Sequence, residues 1–291
     1  MNLPALKEIR HAVQNLNPNE VRALADRPVT FGTLAADELE ATAMYDLLVP
    51  RDLSAARARQ AEDRIIRVAS DEDFGLCDIG FAESGVPHPA QFHSFESHRP
   101  DAVIQRVLDE HKSDWLALAR WFPAFRDPVV DRVIWKVSKE NTLFTLATAL
   151  PNVVPSVLSL PWAAGEFASD SAFLTMNQVQ MSFLIAAACD REVGYREQAS
   201  HVGSIVAAAF GWRGLARQVV GKAPGGTGLV AKGLISFAGT YVVGRGLEKY
   251  YRLGQHLTRE ERGMHYEDAY RRGRSVVEQL VSRIRREPES A

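Results

Sequence analysis

Cysteine is scarce in this sequence, and so is any long alternation of apolar and polar residues. The 291 residues contain two cysteines, Cys77 and Cys189, which stand far apart in unlike surroundings. That number and spacing exclude a disulfide framework and a zinc motif, and they favour a reducing, cytosolic setting. The absence of strand-like alternation predicts an all-α fold.

The N-terminus lacks the features of a secretory signal. Residues 1–10 alternate charge with leucine and have neither an apolar core nor a small-residue cleavage site. We therefore expect that the protein is not secreted.

Motifs for phosphate binding and nucleophilic catalysis are missing as well. A P-loop requires the order G-x-x-x-x-G-K-[ST], but Lys222 is followed by Ala223, and Ala216 stands where the first glycine belongs. Residues 226–231 match G-x-G-x-x-A, but a turn precedes them instead of a strand, which indicates the start of a helix. A G-x-S-x-G motif is also lacking. We predict that the chain is not an enzyme and that it uses no cofactor.

Three histidines lie in an irregular stretch that is rich in glycine and proline. His88, His93 and His98 follow one another at five-residue intervals, near several carboxylates. This interval fits neither the i, i+4 pairing of a helical metal site nor a zinc-finger pattern. Surface positions or roles in turns are therefore expected, and a metal role stays open.

Charge is distributed unevenly along the chain. Residues 1–110 hold 11 basic and 19 acidic side chains, whereas residues 111–291 hold 23 and 17. An acidic first part argues against nucleic acid as the partner of the whole chain. The basic remainder is compatible with anionic lipid, and equally with attraction between the two parts.

The second half contains long segments without charge. Residues 141–165 carry no charged side chain, a length that nominally crosses a bilayer, which takes roughly 20 apolar residues. Pro151, Pro155 and Pro161 interrupt this segment, so a simple spanning helix is disfavoured. Residues 171–189 are also uncharged, but their asparagine and glutamines indicate an amphipathic or buried helix.

Three regions are predicted from these patterns. An acidic helical region covers residues 1–126 and includes a loop-rich insert at 70–100, and an apolar helical domain covers 127–257. A basic helix and tail occupy 258–291, where Thr258 and Glu261 fit a capping box and the helix runs to about Arg286. Gly239, Gly244 and Gly246 are expected to allow close helix approach.

A family resemblance rests on residues of the apolar domain. Their order and spacing resemble the bacterial helical domain of unknown function DUF697, over roughly residues 150–255. The matching residues are Gln178, Met181, Ile185, Ala186, Pro224, Gly225, Thr240, Tyr241, Gly244 and Tyr250. Where that family often has Tyr-Gly after the Ile-Ala pair, this chain has Cys189-Asp190. The first 130 residues do not resemble a GTPase.

What the resemblance implies is a module associated with membranes or with GTPases, with no catalytic residues to carry over. Together with the composition it predicts a non-enzymatic adaptor or regulator in envelope or GTPase-linked processes. It would lie on the cytoplasmic side of the inner membrane, peripheral or partly inserted. The alternative is a soluble cytosolic module that binds a partner protein such as a separate GTPase. Self-association stays open.

Overall fold

A four-stranded parallel sheet lies in the region that was predicted to be helical with a loop insert. The computed structural model describes residues 3–149, 170–199 and 227–286. The strands are β1 (Phe31–Leu34), β2 (Ile65–Arg67), β3 (Ile79–Glu83) and β4 (Phe92–Phe95), in the order β2-β1-β3-β4 with every pair parallel. The all-α prediction is therefore wrong, and the fold is mixed α/β.

The error has a physical cause in the shortness of these strands. They have three to five residues each, too few for alternation to become visible. Strands of parallel sheets are covered on both faces, so they read as short apolar runs instead of alternating patterns. In addition, the loop-rich insert at 70–100 holds β3 and β4, and only residues 84–91 connect these two parallel neighbours.

Helices make up most of the remaining described chain. They are α1 (Leu3–Gln14), α2 (Pro18–Ala25), α3 (Glu38–Leu48), α4 (Ala55–Glu62), α5 (Pro100–Glu110), α6 (Trp115–Trp121), α7 (Arg126–Ala147), α8 (Asp170–Ala188), α9 (Thr227–Leu253) and α10 (Arg259–Arg286). None of these helices has the length and apolar character that crossing a membrane requires. The predicted basic C-terminal helix corresponds to α10.

The chain divides into two units. A helical unit comprises Met1–Pro18, Arg132–Ala186 and Glu192–Ala291, and an α/β unit comprises Asn19–Asp131 and Ala187–Arg191. The sheet thus lies wholly in the α/β unit. The end of α8 and the turn that follows it also belong to that unit.

The two faces of the sheet differ in the size of their side chains. On one face Phe31 and Phe81 meet at 4.6 Å between ring centroids, and the Phe122 ring lies 5.4 Å from that of Phe31. On the other face Gly32, Gly80 and Phe92 stand in register on three neighbouring strands. The Phe92 ring covers both glycines, because Cβ atoms added there would lie 2.3 and 2.2 Å from it. The close approach of this ring requires glycine at both positions.

This packing predicts that Gly80→Ala destabilises the α/β unit. The new methyl group would collide with the Phe92 ring, and overpacking of this kind costs roughly 1–3 kcal/mol of unfolding free energy. Urea unfolding measures the loss. Gly75→Ala is the matched control, since nothing lies within 4 Å of a Cβ at that position. Equal stabilities of the two variants would contradict the prediction.

Candidate functional site

The residues that carry the DUF697 resemblance lie on two helices of the described chain. Gln178, Met181, Ile185 and Ala186 are on α8 and buried, while Thr240, Tyr241, Gly244 and Tyr250 are on α9. Of the α9 residues, Thr240 and Tyr241 are buried. Pro224 and Gly225 lie outside the described residues. Most of the described motif residues are therefore buried within the helical unit.

A side-chain amide in α7 links these two motif helices. Asn141 donates through Nδ2 to Thr240 Oγ1 at 3.1 Å, and its Oδ1 accepts from Asn177 Nδ2 at 2.9 Å. Ser236 of α9 donates to the carbonyl oxygen of Asn141 at 3.3 Å. Asn141, Asn177 and Thr240 are all buried, so these bonds satisfy polar groups that solvent does not reach.

One glycine of the motif has a clear packing reason. A Cβ on Gly244 would lie 2.7 Å from the side chain of Ile134 on α7. The prediction of close helix approach is confirmed at this position. At Gly246 a Cβ would meet only Leu257 at 3.6 Å, an ordinary contact.

An open groove lies between α9 and α10. It has a volume of about 410 Å³ and is lined mainly by charged side chains. Arg245, Lys249, Arg252 and Arg272 contribute the fixed cations, and Glu248, Glu261 and Asp268 contribute the carboxylates. One more positive than negative charge thus faces this groove, and His265 also lines it.

Ion pairs in the groove hold the two helices at their turn. Lys249 Nζ of α9 lies 2.6 Å from Glu261 Oε1 of α10. Glu261 also accepts from the Thr258 amide at 2.7 Å, and its own amide donates to Thr258 Oγ1 at 3.2 Å, which confirms the predicted capping box. Hydrogen bonds from Lys249 and from the Thr258 amide lower the pKa of Glu261 to about 2. Glu261 is therefore ionised at neutral pH and caps α10 as a carboxylate.

Charge along α10 changes sign. Residues 259–269 contain two arginines and four carboxylates, whereas residues 270–286 contain six arginines and one glutamate. In the second part, the side chains of Arg271, Arg272 and Arg274 are 79%, 60% and 69% exposed. The C-terminal half of α10 is thus a cationic surface.

The apolar side of α10 is already covered. Ala269, Val277 and Val281 are buried, and a Cβ on Gly273 would lie 2.6 Å from the Phe237 ring of α9. Val277 in turn fills the space beside Gly233 of α9. The outward side of α10 therefore carries mainly polar and charged side chains, together with Met264 and Tyr270, which are 59% and 41% exposed.

The carboxyl ends of β1 and β3 form the other place to examine for a ligand. In a sheet of this order the chain leaves β1 and β3 in opposite directions, and ligands of open parallel sheets bind in the crevice so formed. Here Glu83 Oε2 accepts from the amides of Ala36 and Asp37 at 2.7 and 2.9 Å. The Glu83 carboxylate therefore accepts the hydrogen bonds of the two amides that an anionic ligand would need.

The three predicted histidines do not come together. His88 Nδ1 and Nε2 contact Pro89 O and Ser94 Oγ, and His98 is exposed beside Glu96. His93 is only 3% exposed, and its Nε2 lies 3.1 Å from Nε2 of His111. Throughout the described segments, three or more side chains suited to holding a metal ion do not cluster.

His93 is held as the neutral base. Burial lowers the pKa of His93 to about 4, although Glu110 acts in the opposite direction, with its Oε2 3.9 Å from His93 Nδ1. Between neutral His93 and His111 one Nε2 donates a hydrogen bond and the other accepts it. Protonation of His93 would bring a positive charge into this buried position, which costs free energy.

Several interacting residues had no signal in the sequence. Glu83 and His111 acquire their partners through sheet register and helix packing, which local patterns do not report. Asp190 had a partial signal, because it replaces a glycine of the resembled family. Its backbone has φ 56°, a conformation that favours glycine, and its carboxylate lies 2.6 Å from Arg57.

Comparison with known protein families, with curated proteins and with solved structures finds no match to this chain. The resemblance to DUF697 therefore stays a prediction that rests on the residues quoted for it.

The buried histidine pair predicts a loss of stability on acidification. Unfolded histidine has a pKa of about 6.5 and the folded His93 about 4, so the unfolded state gains protons first as pH falls through this window. The free energy of unfolding should decline by roughly 2–3 kcal/mol between pH 6.5 and 4 from this group alone. Urea unfolding across this range measures the decline.

His93→Gln should remove this part of the pH dependence, because glutamine keeps an acceptor for His111 and does not titrate. His98→Gln, at an exposed position, is the control and should keep the slope of the wild type. A His93→Gln variant with an unchanged slope would refute the assignment.

Proposed function

We propose that this chain is a non-enzymatic adaptor that attaches peripherally to an anionic membrane surface, on the cytoplasmic side of the inner membrane. The contact surface is the C-terminal half of α10. The observation that carries the proposal is the excess of six arginines over one glutamate in residues 270–286, with exposed guanidinium groups. Anionic lipid attracts such a segment by about 1 kcal/mol per cation close to the surface.

The mode of attachment follows from how α10 is packed. Val277 and Val281 are buried and Gly273 lies against Phe237. Among the side chains of α10 that the structure describes, the exposed large apolar ones are Met264 and Tyr270, which are six residues apart and form no continuous stripe to insert between lipids. Binding is then electrostatic and should weaken as salt screens the charges. This differs from an amphipathic helix that buries its apolar face in the bilayer.

A role without catalysis has its own support. The crevice of the parallel sheet, where ligands of such folds bind, presents two amides that Glu83 already uses. The buried polar side chains around Asn141 bind one another across three helices, a structural use of polar groups. An adaptor needs surfaces rather than a reaction centre, and both units fit that need.

The triple variant Arg271→Gln, Arg274→Gln, Arg283→Gln tests the proposal. Loss of three cations should weaken binding to vesicles that contain phosphatidylglycerol by about 100-fold. Co-sedimentation with these vesicles and with pure phosphatidylcholine vesicles, at low and high salt, measures the effect. Binding should require phosphatidylglycerol and disappear at high salt.

The matched control removes three exposed arginines of the α/β unit, by Arg51→Gln, Arg59→Gln and Arg67→Gln. It changes the net charge equally and should bind as the wild type does. If both triple variants lose vesicle binding equally, the net charge of the protein alone determines binding, and the assignment of the contact surface to α10 is overturned. A wild type that binds no vesicle and instead purifies with a GTPase would support the alternative function.

A further inference from the structure

Three guanidinium groups surround one indole ring in the α/β unit. The Cζ atoms of Arg64, Arg57 and Arg120 lie 3.5, 5.4 and 6.0 Å from the centre of the Trp121 ring. Arg57 lies in α4 and Arg64 just before β2, while Arg120 and Trp121 end α6. Arg57 Nη2 also donates to the carbonyl oxygen of Arg120 at 3.1 Å, which ties the two helices together.

Two carboxylates pair with these guanidinium groups. Asp190 Oδ2 lies 2.6 Å from Arg57 Nη2, and Asp190 Oδ1 lies 3.7 Å from Arg120 Nε. Asp26 Oδ1 is 3.2 Å from Arg120 Nε, but its side chain is 54% exposed, so solvent screens this pair. Asp63 also attracts Arg64, but it is exposed as well, so of the three carboxylates Asp190 is the one mostly shielded from solvent.

Burial of these guanidinium groups has an electrostatic cost in the protein itself. Burial lowers the pKa of Arg57, and the neighbouring Arg120 and Arg64 lower it further against the attraction of Asp190. Burial lowers the pKa of Arg64 as well. A negatively charged group bound beside these side chains would attract both guanidinium groups and so raise the pKa of Arg57 and of Arg64 again.

Unused hydrogen-bond donors point in the same direction. Arg64 Nε and Trp121 Nε1 are buried and form no hydrogen bond with any part of the chain that the structure describes. Arg120 Nε is buried too; it lies in the ion pairs with Asp26 and Asp190 but forms no hydrogen bond with them. Buried donors in native proteins nearly always have an acceptor, whether protein, water or ion. All three groups are donors only, so the species that satisfies them must accept hydrogen bonds.

We propose that the cluster of Arg57, Arg64, Arg120 and Trp121 binds a phosphate group. Phosphate carries several acceptor oxygens and negative charge, and the planar fork of arginine matches it with paired N–H···O bonds. Arg57 and Arg120 are 26% and 16% exposed, which gives an oxyanion access from solvent. Free phosphate, a phosphorylated side chain and a lipid headgroup share this chemistry.

The site is independent of the cationic half of α10, which belongs to the helical unit. It also lies away from Glu83, since Arg64 directly precedes β2 at its amino end and Glu83 is the last residue of β3. Because the three unused donors are buried, the side chains must turn outward to meet a ligand. We therefore expect a dissociation constant for inorganic phosphate on the order of 1 mM.

Calorimetric titration of the full chain with sodium phosphate, at constant ionic strength set with sodium chloride, tests the proposal. Arg64→Gln should weaken phosphate binding at least roughly tenfold, since it removes a charge and its donors. Trp121→Phe keeps a ring for stacking and loses Nε1, so a smaller loss is expected. Arg59→Gln, an exposed position on α4, is the matched control and should bind as the wild type does.

Arg64→Lys guards against a variant that fails to fold. It keeps the positive charge but loses the planar fork, and it should bind phosphate more weakly than the wild type while its melting temperature without phosphate stays close. If the wild type binds no phosphate, or if Arg64→Gln binds it like Arg59→Gln, water satisfies the donors and the proposal is wrong.

The source of the phosphate follows from two further titrations. O-phosphoserine and phosphatidylglycerol vesicles are each tested with the wild type, with Arg64→Gln and with the α10 triple variant. A loss caused by Arg64→Gln alone identifies the source that the Trp121 cluster uses. If only the α10 triple variant loses vesicle binding, α10 attaches to the membrane and the cluster takes free phosphate or a phosphorylated side chain.

Discussion

Pairing of buried polar side chains between helices is the interaction on which the packing of α7, α8 and α9 depends. Asn141 is central to it, because its one amide binds Thr240 on α9 and Asn177 on α8. An unpaired buried amide costs free energy comparable to a lost hydrogen bond, so these partners fix the rotation of all three helices about their axes. Once the rotation is fixed, Gly244 lies against Ile134, and the helices approach closely there.

Packing between helices also shapes the outer surface. Since the apolar side of α10 packs against Phe237 and its neighbours, the outer side of its C-terminal half consists mainly of polar side chains and exposed arginines. The sign change along α10 also suits the helix dipole, with carboxylates in the first part and arginines in the last. A surface built in this way recognises charge rather than shape, which fits attachment to a membrane better than recognition of one particular ligand.

The sequence predicted the helical unit better than the α/β unit, and the reason is the length of the patterns. The capping box of Thr258 and Glu261 is a local signal four residues long, and it marked the start of α10 correctly. The sheet has strands as short as three residues, so its signal lies in pairing between distant segments. Gly80 falls in the stretch predicted as a loop-rich insert, although it and Gly32 lie in strands, where they admit the Phe92 ring. Glu83 and His93 could not be placed before the register of those strands was known.

Asp190 shows how an unusual backbone conformation acquires a physical meaning. Glycine at this position would adopt φ 56° freely, whereas aspartate accepts strain there. In return its carboxylate reaches Arg57, and burial raises the pKa of Asp190 although Arg57, Arg120, Arg126 and Arg191 all oppose that shift. Arg57 and Arg120 thus share this partly buried carboxylate. The buried donors of Arg64 and Trp121 that lack a hydrogen bond within the described chain are the physical reason to look for an external anion beside Trp121 rather than in the crevice that Glu83 fills.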